Sequence, residues 1–284
     1  MGSLWMLAAG ASFACMSVFV KLAAGAFSSH ELVFWRSVLG LAFIYLFLRL
    51  SGRGEGGLVG KNLTMQLRRG LVGFIALATF FYAITKLPMS VAITLNYTSP
   101  LFLALIMPWS LGERPRPVQY LAVALGFFGV TLLLRPWQGG NDLVAGLIGL
   151  FSGFMASLAY VHVRQLGRLC EPEWRTVFWF ALVCAVGAGL LSSADGWHPP
   201  SLDNIWLLLA LGLFATFGQL AMTRAYRTGD TVVVASLAYS TVVFGSLLDG
   251  LIWNEQLPAI AWLGIALTVA AGVWAVKLNK KEPS

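Results

Sequence analysis

Charge is what this chain has least of. Only 11% of its 284 residues are Asp, Glu, Lys or Arg, while 58% are hydrophobic and the mean hydropathy is +0.78. Soluble domains carry roughly 25% charged residues, so a water-soluble globular shell is excluded. Acids are the scarcer sign, 12 Asp and Glu against 19 Lys and Arg, which leaves a net charge of +7. Cysteine is nearly absent. Cys15, Cys170 and Cys184 have no metal-type spacing, and Cys170 falls in a loop on the side read below as cytoplasmic, where disulfides are disfavoured. Catalytic motifs are missing as well: no HExxH, CxxC, GxSxG, Walker A loop or GxGxxG after a strand. His30 and His198 fall at segment ends, and His162 stands alone in an apolar segment. The chain is therefore expected to be no enzyme, with no cofactor and no metal.

What remains is a series of long apolar runs. A membrane-spanning helix needs about 20 mainly apolar residues. Runs that meet this lie at 3–26, 30–49, 68–86, 88–111, 117–134, 143–166, 174–194, 203–226, 229–253 and 258–277. The expected fold is an all-α membrane protein of ten transmembrane helices. Residues 3–26 read as the first span and not as a cleaved leader, because Met1-Gly2-Ser3 offers no positive start and Lys21 sits at the wrong end.

The runs repeat. Sliding the sequence by 142 residues puts Ala83 on Ala225, Tyr97 on Tyr239, Ser99 on Thr241 and Glu113 on Glu255. Five spans per copy is an odd number, so the copies face opposite sides of the bilayer. This predicts two inverted five-helix repeats, 1–136 and 143–281, the architecture in which secondary transporters hold a small molecule near the midplane.

Orientation follows from the basic residues, which favour cytoplasmic loops. Assigned alternately, one side receives fifteen, Arg49, Arg53, Lys61, Arg68, Arg69, Arg114, Arg116, Arg164, Arg168, Arg175, Arg224, Arg227, Lys277, Lys280 and Lys281; the other receives Lys21, Lys86 and Arg135. Both termini then lie in the cytoplasm. The net positive charge reflects topology, and basic residues spread over short loops do not form a nucleic-acid surface.

Polar residues inside the spans carry the functional signal. The run Asn96-Tyr97-Thr98-Ser99-Pro100 interrupts the fourth span. Pro100 lies roughly 18 Å from the start of that span at 1.5 Å per residue. A proline there clashes with the carbonyl of Asn96 and makes Pro100 a candidate hinge. The freed groups need partners in protein or a water-filled cavity. Ser236 to Thr241 occupy the same depth in the ninth span. Two tyrosine-bearing breaks related by the repeat nominate Asn96, Tyr97, Ser99, Tyr239 and Ser240 as substrate-binding residues, with Tyr82, Trp35 and Trp179 as aromatic walls. For Thr98 and Thr241 a bond to their own helix backbone is an equal reading. Arg36 reads as the only base well inside a span; it either pairs with Asp249 or a carbonyl, or attracts a substrate carboxylate. With otherwise neutral groups at the midplane, facilitated movement down a substrate gradient is expected.

The stretches Lys86 to Ala92, Asn96 to Phe102, Leu111-Gly112-Glu113-Arg114, Gly126 to Val130 and Leu134-Arg135-Pro136 resemble EamA-type members of the drug/metabolite transporter superfamily. Weaker copies stand at Ala225-Tyr226-Arg227, Ser236 to Tyr239, Trp253-Asn254-Glu255 and Gly264 to Gly272, and Phe34-Trp35-Arg36 resembles the family's arginine-bearing second helix. The second copy lacks both the Asn-Tyr-Thr-Ser-Pro run and the span arginine. The resemblance implies a ten-helix basket with spans three, four, eight and nine at its centre, one, two, six and seven around the cavity, and five and ten outside. It also implies a bacterial inner-membrane exporter of amino acids, neutral or aromatic, or related metabolites, working by alternating access as a monomer or homodimer. The alternative is a multidrug or lipophilic-cation exporter, and the absence of a midplane acid speaks against it.

Overall fold

The computed structural model describes residues 2–51, 60, 62–99, 101–103, 105–106, 117–134, 141–228, 234, 237–254 and 258–278. Pro100 lies outside them. Among the described residues the ten helices are α1 (Trp5–Ala23, preceded by one 3-10 turn), α2 (Ser29–Ser51), α3 (Leu63–Lys86), α4 (Met89–Asn96), α5 (Pro117–Leu134), α6 (Asn141–Arg168), α7 (Glu173–Asp195), α8 (Ile205–Thr228), α9 (Ser240–Trp253) and α10 (Ala259–Leu278). Five stretches are long and apolar enough to cross a membrane, Gly2–Ala23, Leu63–Lys86, Leu143–Arg168, Glu173–Ala194 and Ile205–Ala225, and Ser240–Trp253 and Ala259–Ala271 are shorter apolar helices. Prolines start several of these elements. Pro88 and Pro172 stand at the N-caps of α4 and α7, Pro117 is the first residue of α5, and Pro258 precedes α10; proline fits there because the first helical N–H groups lack partners anyway.

The most extensive helix contacts are α5 with α10, α3 with α6, α1 with α8, and α2 with α7, followed by α3 with α7, α1 with α9, α2 with α8, α4 with α6 and α4 with α9. Advance every helix number by five and this set maps onto itself: α3–α6 becomes α8–α1, α4–α6 becomes α9–α1, and α3–α7 becomes α8–α2. Helices α5 and α10 pair with each other at the side, through the close approach of Gly129 to the carbonyl of Gly264 and of Gly126 to Ala271. The main core draws mostly on α1, α2, α3, α4, α7, α8 and α9, with Phe80, Phe81, Met89, Ile93, Leu208 and Leu211 among its buried side chains, and Val130 of α5, Ala145 of α6 and Ala261 and Ile265 of α10 join it. Without water to drive apolar surfaces together, helices in lipid associate by close packing at small residues and by interhelical hydrogen bonds.

Two breaks interrupt the pattern. Helix α4 ends at Asn96, and Tyr97 leaves helical geometry with φ −78° and ψ 11°. The chain resumes through Leu101, whose N–H reaches the carbonyl of Thr98 at 2.8 Å. The second break is milder, a one-residue turn at Tyr239, the residue before α9, whose φ −64° and ψ −13° stay in the helical region. Each is held by a glycine of another helix. A Cβ on Gly153 of α6 would sit 2.6 Å from the carbonyl oxygen of Leu95, and one on Gly10 of α1 would sit 2.6 Å from Oγ of Ser240. Both backbones approach the breaks closer than a side chain allows.

Candidate functional site

A cavity of about 100 Å³ lies between the breaks, walled by α1, α2, α3, α6, α7, α8 and α9 together with Asn96 and Tyr97 at the first break. Helices α5 and α10 contribute no described residue to it. Its polar groups are Ser17, Arg36, Arg69, Asn96, Tyr97, Tyr160, Gln219 and Thr241, and its apolar wall includes Phe13, Met16, Phe80, Phe180 and Met222.

The two breaks bond to each other and to α6. Thr241 donates its hydroxyl hydrogen to the Tyr97 hydroxyl oxygen at 2.9 Å, and the two tyrosine rings, Tyr97 and Tyr239, stand 6.4 Å apart. Asn96 donates from Nδ2 to Oγ of Ser152 at 3.0 Å, and Ser152 donates in turn to the Gly149 carbonyl at 2.5 Å. Thr98 instead bonds its own helix, donating to the Leu95 carbonyl at 2.6 Å. The two threonines thus divide between the two readings open to them.

Positive charge dominates the wall. Arg36 is 6% exposed and Arg69 4% exposed. Both guanidiniums lie by the ring of Phe180, with Cζ 5.4 Å from its centroid for Arg36 and 3.9 Å for Arg69. Nε of Arg36 and both Nε and Nη1 of Arg69 are buried with no acceptor among the described residues. Three described acids are engaged elsewhere. Asp249 accepts from Lys21 at 3.2 Å and from the backbone N–H and hydroxyl of Ser90 at 2.9 and 2.8 Å. Glu31 accepts from the Ser28 N–H at 2.7 Å and lies 3.0 Å from Nδ1 of His198. Glu171 accepts from Arg175 at 2.8 Å and from Asn62 at 3.0 Å. A stacked ring offers a guanidinium about 0.5–2 kcal/mol. Removing an ion from water costs several kcal/mol. The ring alone does not offset that cost.

Two expectations need correction here. Arg36 is not the only buried base, and Arg69 does not lie in a loop: α3 starts at Leu63, six residues before it, and the charged head turns inward. Nor does Arg36 pair with Asp249, whose oxygens are taken by Lys21 and Ser90. Of the residues nominated from the sequence, Arg36, Asn96 and Tyr97 are on the cavity wall; Ser99, Tyr239, Ser240, Tyr82, Trp35 and Trp179 are not among its lining residues. Tyr239 packs against Tyr97, with its hydroxyl buried and without a partner among the described residues. Trp35 and Trp179 are chain neighbours of Arg36 and Phe180, and successive residues on a helix point about 100° apart. Arg69, Phe180 and Gln219 also line it and were not nominated, and Thr241, left open between the two readings, is on the wall. For Arg69 a signal existed, because Gln66, Arg69, Gly70, Gly73 and Ala76 share one buried face of α3 while Arg68 is exposed.

The model of the EamA-like transporter family matches twice, over residues 1–135 and 143–276. The chain belongs to the EamA-like transporter family. It is 33% identical over 281 residues to the pseudopaline exporter of Pseudomonas aeruginosa, covering 99% of this chain and 97% of that one. It is 27% identical to a riboflavin transporter of Rhizobium johnstonii, over 97% of this chain and 91% of the other, and 21% identical to an S-adenosylmethionine uptake transporter of Rickettsia prowazekii, over 100% and 95%. A solved crystal structure at 19% identity superposes with a TM-score of 0.72 over 100% of this chain and 98% of that one, which shows the shared fold. As a member of the EamA-like family the protein is a multi-pass membrane transporter of small molecules, not an enzyme.

Proposed function

We propose that this transporter sits in the bacterial inner membrane with both termini in the cytoplasm and exports amino acids or related small metabolites that carry a carboxylate. It does so by alternating access between two inverted repeats, 1–136 and 143–281. The observation that carries the reading is the pair of buried arginines on the cavity wall with no acid beside them among the described residues. A guanidinium presents a planar fork of N–H donors that matches a carboxylate. Asn96, Tyr97, Gln219 and Thr241 supply neutral groups to orient the rest of the molecule. The likeness to the pseudopaline exporter supports the outward direction. The helix contacts that recur on advancing by five support the repeat. A lipophilic cation would meet two positive charges in the cavity and no described acid on its wall, so the cation-exporter reading is not favoured.

Uptake into inside-out vesicles, or into proteoliposomes of the purified protein, tests this with radiolabelled amino acids, a cationic dye and a phosphorylated sugar. Flux of an anionic probe, whether a carboxylate-bearing amino acid or the phosphorylated sugar, that falls in Arg36→Gln is the expected result. Flux of the dye alone, indifferent to that substitution, would sink the reading.

A further inference from the structure

We infer that the cargo is a doubly charged organic anion, with one negative charge received by Arg36 and the other by Arg69. This rests on the reading that the arginine pair receives the anionic group of the cargo, and it narrows the cargo to metabolites with two negative charges and no ammonium. The two guanidiniums approach the same ring of Phe180 from α2 and α3. Both are buried, and three of their nitrogens point at no acceptor among the described residues. The place of Arg69 is built, not incidental: Gly73, one turn on, leaves the space in which its Nη1 lies, 2.5 Å from where a Cβ would stand.

Charge balance decides the cargo. A zwitterionic amino acid brings one negative charge and one positive, leaving the cavity as cationic as before and pushing an ammonium toward two guanidiniums. A singly charged acid satisfies one arginine and leaves the other buried and unpaired, the costly arrangement. A dianion satisfies both. Two carboxylates or one phosphate monoester deliver that charge, and both suit the bidentate geometry of arginine.

Calorimetric binding to the purified, detergent-solubilised transporter separates the cases. The probes are glutarate, glutaramate and glutaramide, which share a skeleton and carry two, one and no carboxylates, with glycerol 3-phosphate as the phosphate arm. The expected result is binding of glutarate or glycerol 3-phosphate about tenfold or more tighter than glutaramate, since a hydrogen bond to a charged group is worth at least one decade of affinity. Whichever of the two binds tighter identifies the anionic group. In Arg36→Gln and in Arg69→Gln the preference for glutarate over glutaramate should fall to near one, while Arg69→Lys restores part of it. Both glutamine variants should melt at higher temperature than the parent, because each removes a buried unpaired charge; a structural arginine would do the reverse. If a glutamine variant does not fold, the ratios in the unmodified protein decide alone. Equal binding of glutarate and glutaramate, both lost in Arg36→Gln, overturns the two-charge inference and leaves the carboxylate reading standing. Binding of glutaramide as tight as glutarate overturns both. No binding of glutarate or of glycerol 3-phosphate overturns the inference outright.

Discussion

A methyl group on residue 73 would stand 2.5 Å from Nη1 of Arg69 and 2.9 Å from the ring of Phe180. Gly73→Ala must therefore lift the guanidinium off the ring or tilt the ring itself. The expected outcome is a two- to tenfold rise in apparent KM, the worth of about 0.5–1.5 kcal/mol of displaced polar contact, with expression little changed. Asn96 makes a different kind of contribution. Its Nδ2 ties the end of α4 to Ser152 on α6, and interhelical hydrogen bonds in membranes average about 0.6 kcal/mol. Asn96→Ala should weaken transport by a similar two- to tenfold while lowering the melting temperature by no more than a few degrees, which flux and thermal unfolding measured on one preparation would check. A loss of fold in that variant would show that Asn96 holds the break together and does little else.

At the scale of the helices, the breaks and their glycines decide whether α4 and α9 sit where they do. In Gly153→Val the new side chain would meet the carbonyls of Leu95 and Asn96, 2.6 and 3.0 Å from its Cβ. Backbone cannot yield as a flexible side chain does, so this variant should express poorly or lose all flux, and Gly10→Val, against the hydroxyls of Ser240 and Thr241 that can turn aside, should lose less. Normal transport in both would mean the breaks tolerate a change of packing. These breaks were legible in the sequence. Polar residues around Tyr97 and Tyr239 stand where apolar ones continue a span, and the 142-residue offset lines them up. Arg69 was not legible from hydropathy, because a base at the edge of an apolar window reads as the start of a loop while the helix runs on past it. Its phase was visible, one step round from exposed Arg68 and in line with Gly70 and Gly73. The same neglect of phase put Trp35 and Trp179 in the cavity, when their neighbours Arg36 and Phe180 face it.

Across the whole molecule, polar ties close the bundle at both ends. At one end Lys21 of α1, Ser90 of α4 and Asp249 of α9 meet, with Trp253 under the Lys21 ammonium at 4.5 Å. At the other, Glu171 between α6 and α7 joins Asn62, just before α3, to Arg175 of α7. Burial acts to raise the Glu171 pKa, but hydrogen bonds from Arg175 and Asn62 and the charge of Arg175 outweigh it and hold the carboxyl below its ordinary 4.5. A carboxyl depressed in the folded state adds stability above its unfolded pKa and loses it as pH falls through the folded one. Thermal stability should drop below about pH 4, and Glu171→Gln should flatten that drop; an unchanged acid limb would show that the tie does not matter to folding.

The buried arginine pair, with no acid beside it among the described residues, also bears on energy coupling. Under the proposed alternating access the guanidiniums stay with the protein, so a dianionic cargo would carry its own charge across the bilayer. With the cytoplasm electrically negative, outward movement of two negative charges gains about 4.6 kcal/mol per 100 mV, more than three decades of concentration ratio. The resting membrane potential would then drive export with no proton or sodium ion, and would hold the exported anion outside. Proteoliposomes loaded with glutarate and clamped by a potassium diffusion potential should release it faster when the interior is negative than when it is positive. A rate indifferent to the sign of the potential would mean that a compensating ion travels with the cargo.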